Sequence, residues 1–236
     1  HNTNANEFLE FVHDIDIDFL KKDIKLSEEL KKLDGKKIIF TNASKKHALN
    51  VTKRIGIDQY FDDIFDIIDA NFVPKPAIKT YKKLLSLDPQ RQDALINMGN
   101  IYFDDGSLEK AITYFKKASL INSGNEQLKD QAIINLGNTY RRKGQDLDSM
   151  RTYERVLSRC AYPGLRIKQA ITLPIVYRDK SHIDDVRFRF ERELETIENS
   201  HIVISDPALE ISSTNFFLAY QSMSNKVLQE QIAKIM

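Results

Sequence analysis

The sequence predicts a mainly α chain, a helical-repeat array with a partial α/β segment at its N-terminus. Three observations carry this. Asn97-Met98-Gly99-Asn100-Ile101-Tyr102 recurs as Asn135-Leu136-Gly137-Asn138-Thr139-Tyr140, and self-similarity at a fixed period marks stacked repeats. Before it, Lys37 to Thr41 (KIIFT) is a short, β-branched apolar run after Asp34-Gly35, which reads as a strand. After it, Ile183, Val186, Phe190, Leu194 and Ile197 fall at helical spacing. The expected organisation is residues 1–76 as the α/β segment, 77–162 as the repeats and 163–236 as a helical connector.

In the first region, Asn42-Ala43-Ser44 opens a helix through about Arg54, with Ala48, Val51 and Ile55 on one face and Gly56 as its stop. Ile64 to Ile67 is a second candidate strand. Pro74-Lys75-Pro76 is a loop that opens a helix near Ala77.

In the second region each hexapeptide has another glycine seven residues after its first, Gly106 and Gly144. The first copy continues with Ala111, Phe115 and Ala118, and the second with Ser149, Tyr153 and Val156. Gly99 would let its helix approach the next at Ala111, Tyr102 and Phe115 would fill the gap, and Gly106 would supply the positive φ of the turn. Such a pair cannot bury its apolar face alone and needs stacked neighbours. The copies are 38 residues apart (97 to 135), four more than the roughly 34 of the commonest two-helix repeat. The extra four are expected in a polar loop around Ser123 to Gln127. Ala77, Tyr81, Leu84 and Pro89 match a leading half-repeat.

In the third region the Ile183 helix is expected from Ser181, as N-cap, to Ser200. Asp206-Pro207 marks a break, and a last helix is expected from about Asn215 to Ile235.

The repeats resemble tetratricopeptide (TPR) motifs. Their asparagines resemble the ladder of O-linked N-acetylglucosamine transferases, in which amides on a concave face hold peptide backbone. An amide both donates and accepts, so it reads backbone without reading side-chain identity. The resemblance implies that Asn97, Asn100, Asn135 and Asn138 contact a peptide or protein partner on the TPR concave face. Leu173-Pro174-Ile175-Val176-Tyr177, the Ile183 helix and Asn215 to Gln221 resemble the connector before the catalytic domain in bacterial SPINDLY-like members of that family. The catalytic lobes would follow Met236.

The first region resembles haloacid-dehalogenase (HAD) phosphatases of the pyrimidine 5′-nucleotidase-like group, through Ile38 to Ala43, Ile64-Phe65-Asp66 and Asn71 to Pro76. The resemblance gives Thr41, Asn42 and Lys75 phosphate-binding roles. A hydroxyl, free N–H groups at a helix start and an ammonium suit an anion. The family's Asp-x-Asp-x-Thr nucleophile motif is missing. Asp14-Ile15-Asp16-Ile17-Asp18 copies its spacing without an apolar strand before it or a Thr after it. The place of the family's metal-binding acids is taken by the repeats. No catalytic or metal residue is therefore assigned, no cofactor is expected, and Mg²⁺ would be needed only if a longer parent completed the site.

Other chemistry is thin. The net charge of +1 steers the chain toward neither nucleic acid nor acidic lipid. No apolar run approaches the roughly 20 residues that span a bilayer, so no membrane partner is expected. Cys160 is the single cysteine and is expected in a packed position. It allows no intramolecular disulfide or multi-cysteine metal site, which fits a cytoplasmic setting. His1, His13, His47, His182 and His201 have no metal-ligand spacing. There is no Walker A or G-x-G-x-x-G motif. The chain begins with His rather than Met, and the expectation is a piece of a longer product. The leading reading is a binding scaffold without a complete catalytic site. The alternatives are part of a multidomain HAD-type or glycosyltransferase enzyme, and a working phosphatase using Asp14 or Asp16.

Overall fold

A computed structural model describes residues 4–72, 77–200 and 202–235. The chain divides into two compact units, 1–89 and 90–236.

The N-terminal unit starts with α1 (Ala5–His13) and α2 (Ile24–Lys32). Strand β1 (Ile38–Phe40) leads through α3 (Lys45–Ile55) and a 3-10 turn (Asp58–Tyr60) to β2 (Asp63–Phe65). The strands pair in parallel with Ile38 opposite Asp63, Ile39 opposite Ile64 and Phe40 opposite Phe65. A parallel pair needs a crossover, and α3 supplies it. Ser44 caps α3 by accepting from His47 N at 3.3 Å, and Gly56 ends it at φ 80°. Asp66, just past β2, is buried and accepts from Lys45 N at 2.8 Å, tying the sheet to the start of α3. Both strands are shorter than their apolar runs, because only three residues of each find a ladder partner.

Helix α4 (Ile78–Leu87) belongs to this unit. The ring of Tyr81 packs edge-on to Phe40, with centroids 5.7 Å apart, and Lys83 Nζ sits 5.4 Å from the Phe65 ring. Its apolar stripe matches a leading half-repeat, yet its ring contacts are with the strands.

The C-terminal unit is two helix pairs followed by a helical layer. The pairs are α5 (Gln92–Asp104) with α6 (Leu108–Leu120) and α7 (Glu126–Arg142) with α8 (Asp146–Leu157). A Cβ on Gly99 would lie 2.4 Å from Phe115 Cε1, and one on Gly137 2.3 Å from Tyr153 Cε1. Each glycine is thus the seat of an aromatic ring from the second helix of its pair. The expected partner of Gly99, Ala111, is buried but is not among its nearest atoms. Gly106 and Gly144 turn between helices at φ 79° and 80°.

The four extra residues of the second repeat are helix rather than loop. Helix α7 has 17 residues against 13 in α5. Asn125 caps it, accepting from Leu128 N at 3.1 Å, so the added turn begins at Glu126. This turn brings Glu126 to Arg159 at 2.8 Å, beside buried Asp130, which meets the same guanidinium at 2.5 Å.

Helix α9 (Pro163–Ala170) has its proline at N1. Helix α10 (Lys180–Asn199) buries Val186, Phe190, Leu194 and Ile197. Its cap is Asp179, accepting from His182 N at 2.7 Å, not Ser181. A carboxylate at that position also favours the positive end of the helix dipole. Helix α11 (Pro207–Glu210) crosses α9 at Gly164, where a Cβ would lie 2.8 Å from the Glu210 carbonyl oxygen. The expected last helix is two elements, a 3-10 helix (Phe216–Gln221) and α12 (Lys226–Ile235). Ser222 at φ 53° breaks the run. Leu218, Leu228 and Ile232 join α10 in one core.

Candidate peptide-binding groove

Asn97 and Asn100 stand on α5, and Asn135 and Asn138 at the matching positions of α7. All four are half-buried. Because α5 and α7 are equivalent helices of stacked repeats, the last asparagine of one meets the first of the next. Asn135 Nδ2 donates to Asn100 Oδ1 at 3.0 Å. Asn138 Oδ1 accepts from Tyr153 Oη at 2.8 Å. Tyr153 is the ring seated on Gly137, so the repeat contact and the groove asparagine share one side chain. Each amide keeps unused capacity: among the described residues, the Asn100 and Asn138 amino groups and the Asn135 side-chain carbonyl have no hydrogen-bond partner.

Asn100, Asn135 and Asn138 line one groove of about 320 Å³ with Phe103, Asp104 and Phe115. Asn97 lies one turn earlier on α5 and is not among its lining residues. Phe103 was not singled out by the repeat pattern, since the matching position in α7 is Arg141. Its ring is fixed from the neighbouring repeat: the Arg142 guanidinium sits 4.7 Å from its centroid and donates to its carbonyl at 2.6 Å.

The phosphate-binding residues expected in the N-terminal unit are arranged differently. Thr41 follows β1, and its Oγ1 accepts from Ala43 N at 3.0 Å within its own loop. Asn42 beside it is exposed. Lys75 lies outside the described residues. Asp14 and Asp16 are exposed in a coil after α1, where Asp16 Oδ1 accepts from Asp18 N at 2.8 Å. A coil gives a nucleophile no fixed line of attack. Among the described residues no group of three or more His, Cys, Asp or Glu could hold a metal ion.

The structure does join two histidines that the sequence leaves 34 positions apart (13 to 47). His13 and His47 stack at 4.4 Å, and His13 Nδ1 is 3.2 Å from Ser44 Oγ. Burial, and then the neighbouring His47, hold His13 below the usual imidazole range. Cys160 is exposed rather than packed, because α8 ends at Leu157.

Two tetratricopeptide repeat family models match this chain, one over residues 92–125 and one over 132–164. The two helix pairs are therefore tetratricopeptide repeats. Among curated proteins, the chain is 24% identical over 194 residues to the Homo sapiens intraflagellar transport protein 88 homolog. The match covers 78% of this chain and 23% of that protein. No solved structure matches. Among the described residues no helix is long and apolar enough to cross a membrane.

Proposed function

We propose that this chain is a protein-interaction scaffold whose TPR groove holds an extended stretch of a partner protein. The observation that carries this is the sharing of one groove by Asn100, Asn135 and Asn138, each with an unused donor or acceptor, beside the immobilised Phe103 ring. Extended backbone offers donors and acceptors at regular spacing, and the ring offers one apolar anchor. The groove contains no nucleophile paired with a base, so binding rather than chemistry is its use.

Two finer forms of this reading have separate support. The name of the human relative points to a role in intraflagellar transport. The likeness of 163–236 to the SPINDLY-like connector points to a peptide held for a glycosyltransferase domain. The HAD-like reading of Thr41, Asn42 and Lys75 has only the β1–α3–β2 order in its favour.

The test is a decapeptide array followed by calorimetry with the tightest binder. Asn100→Ala combined with Asn135→Ala is expected to weaken binding at least tenfold, since two hydrogen bonds contribute about 1–3 kcal/mol together. Asn97→Ala is expected to stay within about twofold. Equal losses from Asn97→Ala and from the double variant would sink this assignment of the groove.

A further inference from the structure

Next to the asparagine groove is a second cavity of about 460 Å³, and Phe103 and Asn138 line both. Its other polar lining comes from Arg141 and Arg142 at the end of α7, Lys168 on α9, and Ser212 and Thr214 after α11. Among the described residues no Asp or Glu lines it. Ile171 and Leu173 form an apolar wall.

The charges in this cavity are not balanced. Lys168 is only 7% exposed, and among the described residues its ammonium has no hydrogen bond or ion pair. Its neighbour in charge is Arg141, which repels it. Arg141 Nη1 donates to Ser213 Oγ at 2.6 Å, its guanidinium also interacts with the Tyr153 hydroxyl, and among the described residues its buried Nε has no partner. Arg142 is committed to Phe103. Two cations facing one cavity without a counter-charge are costly to bury. A bound oxyanion would remove the cost, by accepting from Lys168 Nζ and the Arg141 guanidinium while the Thr214 hydroxyl adds a donor; the Ser212 hydroxyl already donates to Leu209 O at 2.9 Å.

We infer that this cavity is an oxyanion-binding subsite, and that the anion is carried by the polypeptide lying in the adjoining groove. The second half of the inference rests on the peptide reading above; the first does not. The shared ligand chemistry is a carboxylate or a phosphoryl group on a short stem, which the apolar wall would cover. The selectivity of the scaffold then lies at this end, because the asparagines read backbone alone.

The full chain, labelled with ¹³C at lysine Cε, is titrated by NMR with inorganic phosphate and with acetate. It is then titrated with three amide-capped decapeptides of Gly, Ser and Ala that differ at one central residue: Glu, phosphoserine or Gln. The Lys168 cross-peak is expected to move saturably with phosphate and with the Glu or phosphoserine peptide, and not with the Gln peptide. Whichever of the two acidic peptides binds tighter identifies the natural group. By calorimetry, Lys168→Met and Arg141→Gln are each expected to weaken phosphate binding at least tenfold, with the circular dichroism spectrum unchanged. A Lys168 signal unmoved by both phosphate and acetate overturns the subsite, as does undiminished phosphate affinity in Arg141→Gln. A signal that answers phosphate while no peptide binds more tightly than the free ion supports the subsite and sinks the groove reading. Equal binding of all three peptides with Lys168 silent overturns the subsite and leaves the groove reading standing.

Discussion

The two units of this chain both rely on packed helices but hold them in different ways. In the C-terminal unit the crossings and turns of the helix pairs have dedicated residues. Gly99 and Gly137 each seat a ring, Gly106 and Gly144 turn the chain, and Phe190, Leu194 and Leu218 are at most 1% exposed. In the N-terminal unit the sheet is two strands of three residues. Phe8, Phe11 and Phe19 are 55%, 80% and 73% exposed. A two-stranded sheet gains independent stability only when helices cover it, and here that cover depends on Asp66, α3 and, from α4, the Tyr81 ring and Lys83. Repetition buries area in proportion to the number of repeats, whereas a small sheet depends on a few contacts.

The largest expected effect tests the repeat side of this contrast. Gly137→Val would drive a branched side chain into the Tyr153 ring and is expected to destabilise the C-terminal unit by about 3 kcal/mol. Chemical unfolding followed by tyrosine fluorescence and amide exchange would show the loss confined to 90–236. Equal loss of protection in 1–89 would erase the contrast.

A smaller effect tests the other side. Asp66→Ala removes the buried carboxylate that accepts from Lys45 N and from Asp69 N, both at 2.8 Å. The expected cost is about 2 kcal/mol. Amide exchange should show 38–65 opening while the repeats keep their protection.

The smallest is a gain, and it depends on pH. Burial, reinforced by Arg141, pushes the Lys168 ammonium down to about 8. Its ordinary value is 10.5. Unfolding therefore takes up a proton between these values, and the wild type gains stability as pH rises through that window. Lys168→Met is expected to be more stable than wild type by about 1 kcal/mol below pH 8, less than the full shift implies because the head group meets the water of the cavity. The gap should shrink between 8 and 10.5. A gap independent of pH would mean that the ammonium is not what costs stability.

Much of the C-terminal unit was legible in order, because the repeat signal is a signal about packing. Small residues at 99 and 137 and large ones at 115 and 153 can be matched across copies without coordinates. The caps and breaks were less legible. Asp179 and Ser181 are both acceptable caps, and the choice depends on where the preceding chain leaves the core. The run 215–235 has a continuous helical appearance, yet Leu218 and Leu228 must both reach the α10 core, and Ser222 takes a left-handed conformation to allow it. Helix α4 shows the same limit. Its apolar stripe suits a repeat or a sheet equally, and only the rings of Phe40 and Phe65 decide.

The sequence by itself determined the repeat pair, its turns, the strand–helix–strand order before it and the asparagines on equivalent faces, because each of these is written in local spacing. The tertiary structure alone decided that the extra four residues are a helical turn and that Asn100 meets Asn135. It alone brought Lys168 and Arg141 to one cavity, with no carboxylate among its described lining residues. Those facts depend on residues tens of positions apart sharing space, and charge balance inside a cavity is a property of its walls rather than of any stretch of chain.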